Sequence, residues 1–318
     1  MTELVARVIW RQGSFDSAAA MITSRTQLVC NRHHEMNNPA QKLTIQGAAS
    51  ISIVGNGPGE MPMLEHDRPF IRFNLSNDTP LSPLEVRVSN PRAARRSSES
   101  AAFQVLSRVL SGAERDQLQH ILTHQAFELS AELGCLPSTG LATVYACMEL
   151  GLSLQVFRMP LRPSLCRASD LAPRQPLAAA FHNWLGEQRL AWRLIASQGD
   201  HLRWPEMTTK GCAIPSETKG HLDPYSCIFE WMQDAARDPN SADQTSLVEL
   251  ATSSRFDWEG FAKHEHLRQL EPFFHLDRTR QETPNWWLYS NSLSITIDAL
   301  LGRLTQAQQF LYFEQAAS

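Results

Sequence analysis

No pair of cysteines in this sequence is spaced as CxxC; Cys30, Cys135, Cys147, Cys166, Cys212 and Cys227 lie far apart in 318 residues. That spacing excludes a zinc ribbon and argues for reduced thiols rather than a disulfide framework. No run of about 18 apolar residues is found, and the opening MTELVARVIWRQ lacks the apolar core of a signal peptide. The expectation is a cytoplasmic protein without a transmembrane segment, with peripheral membrane association left open. Basic residues are not in excess: 29 Lys+Arg against 33 Asp+Glu give a net charge of -4. With a pI near 6.3, a nucleic-acid partner is not expected. The first half contains neither a DxD motif nor a tight His/Asp/Glu cluster with metal-ligand spacing. Internal repeats are absent as well. What remains is an ordinary globular balance, 42% hydrophobic and 19% charged.

The pattern is hard to read before residue 46, where residues 5–10 suggest a strand, residues 15–22 a helix, and His33 and His34 a polar surface turn. It sharpens at residues 48–54 (AASISIV), a short β-branched run that stops at Gly55-Asn56-Gly57-Pro58-Gly59. Residues 70–75 (FIRFNL) give a second strand, and residues 90–101, with Arg92, Arg95 and Arg96, a surface loop. Residues 113–133 are helical in composition. Pro137-Ser138-Thr139-Gly140 then precedes an apolar helix over 141–150, Gly151 and a strand over 152–157. Residues 161–176, with three prolines and three arginines, suggest a loop or lid before a helix near His182. Beyond about residue 207 strands no longer alternate with helices, and residues 226–237, 245–252, 257–270 and 292–315 look helical. Seven of eight tryptophans lie at or after Trp184. The stretch from Trp258 to Trp287 is therefore expected to form an aromatic core or to line an acceptor cleft. The fold class is α/β, with a mainly helical, aromatic-rich C-terminal part.

Three elements carry candidate chemistry. Gly55 to Gly59 after a buried strand lets backbone amides approach a ligand, or is simply a tight turn; it is neither GxGxxG nor a Walker A sequence. Ser138, Thr139 and Gly140 before a helix offer exposed amides and hydroxyls to an anion, or merely cap the helix. His182 and Glu187, five apart, sit roughly 140° apart if both are helical. His182 is therefore placed at or before the helix N-terminus with Glu187 one turn inside, as a base working near neutral pH or as an inconsequential histidine.

The order of these elements resembles the sialyltransferases. SISIVGNGPG followed by FIRFNL is similar to the large sialyl motif, LPSTGLATVYACMELGLSLQVF to the small motif, and HNWLGE to the very small motif. The resemblance extends over residues 48–190 and reaches bacterial sialyltransferases and the related bacterial enzymes that transfer Kdo. The aromatic-glycine ending usual after the small-motif strand is Phe157-Arg158-Met159 here. The resemblance implies a Rossmann-like core of parallel strands binding a CMP-activated acidic sugar as donor substrate, inversion at the anomeric carbon, no catalytic metal and no resident cofactor, and a glycan acceptor. Residue by residue, it implies that Asn56 and Asn74 contact the nucleotide and its phosphate. Gly55 and Gly57 would permit close approach, and Ser138, Thr139 and Gly140 would hold the donor. His182 would be the general base, with Glu187 its companion. Residues 1–206 would form the nucleotide-sugar domain and residues 207–318 an acceptor-binding region.

On that reading CMP leaves as a phosphate monoester anion stabilised by the two turns, while residues 161–176 close as a lid. Arg162, Arg167 or Arg174 would reach the donor carboxylate or an acidic acceptor, unless they are plain surface arginines. His264 and His266 point apart on a helix and are not expected to share a metal. Two rivals stand beside the transferase: an unrelated nucleotide- or dinucleotide-binding enzyme, and an inactive scaffold with the same fold.

Overall fold

The computed structural model describes residues 50–64, 67–75, 79–90, 103–167, 177–208, 223–237, 243–276 and 285–313. The elements expected over 5–10 and 15–22, His33, His34, the arginines of the 90–101 loop and Arg174 lie outside the described residues. So do Cys30 and Cys212. All described residues belong to one compact unit.

Six strands form the sheet: β1 (Ser50–Val54), β2 (Phe70–Phe73), β3 (Glu85–Ser89), β4 (Gln104–Ser107), β5 (Ser153–Phe157) and β6 (Leu202–Arg203). They are ordered β4-β3-β2-β1-β5-β6. β4 runs antiparallel to β3 and every other pairing is parallel, so the sheet is mixed but mostly parallel. Alternation decides which face is dry. Register aligns Val156, Ile53, Ile71 and Val86 in one row across four strands, and each of the four is 0% exposed. At about 1.5–3 kcal/mol per buried aliphatic side chain, such a row fixes the register, because a one-residue slip would turn it to the opposite face.

Helix α1 (Gly112–Leu133) starts at a Ser111–Glu114 capping box and stops where Gly134 takes φ 71°. It buries Leu118, Leu122, Ala126, Leu129 and Leu133, and packs on β4 and on α2 (Thr139–Glu149). After β5 comes α3 (Trp184–Gln198), then β6 and the short α4 (Pro205–Thr208). Every later described element is helical: α5 (Pro224–Arg237), α6 (Gln244–Thr252), α7 (Arg255–Gly260), α8 (His264–Leu270) and α9 (Ser294–Phe313), with 3₁₀ turns between. α9 packs on α3, α6, α7 and α8. One apolar core joins Leu165, Ala180 and Leu185 to Tyr225, Trp258, Trp287 and the α9 leucines.

The structure corrects the sequence reading in several places. β3, β4 and β6 were not anticipated. β3 carries Glu85 and Arg87, and both are 2% exposed. They pair at 2.9 Å, and Arg87 also donates to the Thr79 and Pro80 carbonyls. The single helix expected over 257–270 is two, because Phe261 adopts a non-helical ψ of 3° after Gly260. Trp258 and Trp287 are each 1% exposed, which makes them core and not a cleft lining. No helix among the described residues is long and apolar enough to cross a membrane.

Candidate functional site

From β1 the chain moves outward through β2 and β3, and it returns on the other side of β1 as β5. Ligands of open α/β sheets sit beyond the carboxyl ends of strands where the order reverses in this way. Both candidate turns are found there. Gly55 N–H donates to the Phe157 carbonyl at 2.8 Å, and Gly57 N–H to the Arg158 carbonyl at 2.9 Å. Here the close approach that glycine permits is made by the chain itself. A Cβ on Gly57 would stand 2.6 Å from the Arg158 oxygen, and one on Gly55 would clash with the same atom. A Cβ on Gly140, in the second turn, would lie 2.5 Å from Met159 Sδ. Arg158 and Met159 are thus the partition against which both turns rest.

Asn74 (φ 48°), Arg158 (φ 54°) and Leu161 (φ 51°) are the non-glycine residues with positive φ among those described. All three follow the carboxyl end of β2 or β5, and backbone strain of this kind collects at functional sites. The Arg158 side chain explains how an arginine tolerates the conformation. Nε and Nη2 both donate to the Gly57 carbonyl, at 2.9 and 2.7 Å, while its N–H donates to Glu206. Asn56 Nδ2 donates to the Phe73 carbonyl at 3.0 Å, and Asn74 Oδ1 accepts from Asn90 N–H at 3.1 Å. The two asparagines therefore stitch neighbouring strand ends together. Oδ1 of Asn56 and Nδ2 of Asn74 take no part in these bonds.

At the second turn, Ser138 caps α2 by accepting from Leu141 N–H. Its own N–H and hydroxyl both donate, at 2.6 Å each, to the two oxygens of Glu187. Glu187 is 0% exposed, and a buried carboxylate requires such partners. His182 lies just before the Asn183 N-cap of α3, and Glu187 falls in the first turn, as the spacing predicts. The His182 Nδ1 is buried without a hydrogen bond and stands 3.6 Å from Glu187 Oε1. The imidazole is 27% exposed and leans against the Trp184 ring, with centroids 4.9 Å apart. One carboxylate therefore links Ser138, Glu187 and His182. Thr139 and Gly140 are buried, and their N–H groups make no hydrogen bond among the described residues, as is usual for the open end of a helix.

Sequence reasoning missed what holds α3 in place. Asn183, 2% exposed, accepts from Gly186 N–H. Its Nδ2 donates to the Leu133 carbonyl and to Glu271, both at 3.0 Å. Glu271 in turn accepts from Arg189, which also pairs with Glu132, and Glu132 with Arg193. Burial alone would raise the Glu132 carboxyl, but hydrogen bonds from Arg193 and Arg189 hold it below its ordinary value. An asparagine before an amphipathic helix is a readable cap signal. The partner 88 residues away has no sequence signal.

The described part of the expected lid is clamped. Asp298 accepts from Leu165 N–H at 3.0 Å and from the Ser164 hydroxyl at 3.3 Å. Arg167 donates to Asn291 and to the Leu288 carbonyl. Residues 161–167 therefore belong to the α9 wall rather than to a moving flap, and Arg167 is a structural anchor. The His264 and His266 rings contact Tyr312 and Tyr225 respectively, in keeping with their divergence.

No protein-family model, curated protein or solved structure matches this chain.

Proposed function

We propose that this chain is an inverting glycosyltransferase that moves an acidic 2-keto sugar, sialic acid or Kdo, from its CMP-activated form to a glycan hydroxyl. The observation that carries the reading is the fully buried Glu187 carboxylate, which ties the Ser138 turn to the His182 imidazole. The strand order, with β1 central and reversal between β1 and β5, supports a Rossmann-like donor core. The dispersed cysteines fit a cytoplasmic setting.

In this mechanism the α2 N-terminus and the Gly55–Gly59 turn face the phosphate that leaves with CMP. The N–H groups of Thr139 and Gly140 supply hydrogen bonds to charge that grows in the transition state. A proton on His182 Nδ1 faces Glu187 and leaves Nε2 basic. Nε2 takes the acceptor proton as its oxygen attacks the anomeric carbon from the face opposite CMP. Glu187 then stabilises the imidazolium that results. The 3.6 Å separation is expected to shorten as the imidazole charges, since catalytic hydrogen bonds tighten in the reacting complex.

Thermal shift with CMP, UDP, ADP and NAD tests the donor, because a ligand specific to the folded state raises the melting temperature. CMP alone should stabilise; a response to NAD or ADP alone would favour the unrelated nucleotide enzyme. A mass-spectrometric screen with CMP-sialic acid and CMP-Kdo then identifies the sugar, and transfer is expected to survive EDTA. Stabilisation by CMP without turnover would favour the scaffold. His182→Ala should lower transfer about 10²–10⁴-fold, the worth of a general base, with CMP affinity unchanged. Equal activity of variant and wild type would refute the base.

A further inference from the structure

A cavity of about 210 Å³ opens between residues 161–164, α3 and α9, with Trp184 in its lining. Trp184 is its shared wall with the candidate site, because the indole that lines the cavity also lies 4.9 Å from the His182 ring. The indole is fixed, its Nε1–H donating to the Ala179 carbonyl at 2.6 Å. The volume is below the range of about 300–1,000 Å³ usual for drug-sized ligands, so it suits a single sugar ring rather than a nucleotide. Most polar groups of the lining are already used. Gln188 donates to the Leu161 carbonyl and accepts from Thr305, and Asp298 is turned to residues 164–166. Arg162 differs. It lines the same space and makes no ion pair or hydrogen bond among the described residues. It follows Leu161, whose strained φ of 51° sets the direction of the chain there.

We propose that this cavity is the acceptor subsite and that it selects a sugar bearing an anionic substituent, a phosphate or a carboxylate, bound by Arg162. Trp184 supports the ring, since flat indoles carry the apolar faces of sugars, and directs its hydroxyl toward His182. The assignment rests on the transferase reading for its role. The cavity's shape, and the presence of both Arg162 and Asp298 in its lining, are independent of that reading.

Binding of galactose 6-phosphate, galacturonate, galactose, inorganic phosphate, free sialic acid and free Kdo is measured by calorimetry and ligand-detected NMR, without donor. Two variants accompany the wild type. Arg162→Gln removes the cation. Gly302→Leu fills the cavity from α9, where a Cβ meets nothing within 4 Å and a helix former replaces glycine. The proposal expects galactose 6-phosphate or galacturonate to bind at least 10-fold tighter than galactose, and both variants to remove that preference. His182→Ala should leave it intact, and CMP stabilisation should be the same in all. Absence of any anionic preference, or a preference that survives both variants, overturns the subsite while leaving the CMP result standing. A preference confined to free sialic acid and Kdo overturns the acceptor role, as does one retained for inorganic phosphate alone. If CMP fails to stabilise the protein yet the anionic hexoses bind through Arg162, the donor reading fails and the acceptor role fails with it.

Discussion

The sheet half and the helical half of this molecule treat their irregular residues differently. Through Arg203, the described backbone holds three strained non-glycine residues, all beyond β2 or β5. From Pro205 onward it holds none among the described residues, and four buried aromatics there have their polar atoms bonded. The Tyr225 hydroxyl donates to the Trp258 carbonyl, Trp258 Nε1 to Ser253, Trp287 Nε1 to the Phe273 carbonyl and Trp231 Nε1 to the Asp243 carbonyl. Sequences obey local rules where only stability is at stake and break them where geometry is needed for chemistry. Trp258 and Trp287 are core, and the positive-φ residues gather beyond the strand ends.

The largest effect should come from the helical half. Trp258→Ala empties a fully buried position and should cost about 3–5 kcal/mol in urea unfolding. Transfer per folded molecule should be unaltered, and a selective loss of activity would break the comparison. Next is Glu187→Ala, which leaves the part-buried Ser138 N–H and hydroxyl without their acceptor. A loss of about 2–4 kcal/mol is expected, together with loss of transfer, so here stability and activity fall together. Arg158 sharpens the point about strain. Arg158→Ala keeps the left-handed backbone but loses both bonds to Gly57, whereas Arg158→Gly loses the bonds and relieves the backbone. Glycine should be more stable than alanine by about 1 kcal/mol; the reverse order in chemical denaturation would remove the strain argument.

The smallest effect is electrostatic. The Glu132 carboxyl is held below its ordinary 4.5 in the folded state, so its stabilisation is complete above about that pH. It is lost as pH falls through the folded value. Wild type should exceed Glu132→Gln by under about 1 kcal/mol at pH 7, given the solvent screening of a half-exposed pair. The two unfolding curves should converge below pH 4.5.

β1, β2, α1, the α2–β5 unit and the His182–Glu187 placement were legible because each is local: an alternation, a cap, a glycine stop or a helical spacing. β3 was hidden because Glu85 and Arg87 look solvated to any local rule, and only folding supplies the carbonyls of Thr79 and Pro80. β6 is two residues long and exists because β5 lies beside it. The candidate site was readable as three separate motifs, yet its connecting atom pairs were not. Ser138 and Glu187 are 49 residues apart, and Asn183 finds Glu271 across 88. Those contacts are tertiary facts with no periodicity to announce them.

That last bond has a practical consequence for anyone wishing to trim the chain. A fragment stopped after the final strand would keep every motif residue but would discard the carboxylate that seats the cap beside the imidazole. It would also bare Leu165, Ala180 and Leu185 to water. Such a truncation should come out of the cell as aggregate, and the minimal piece that folds must run through α9.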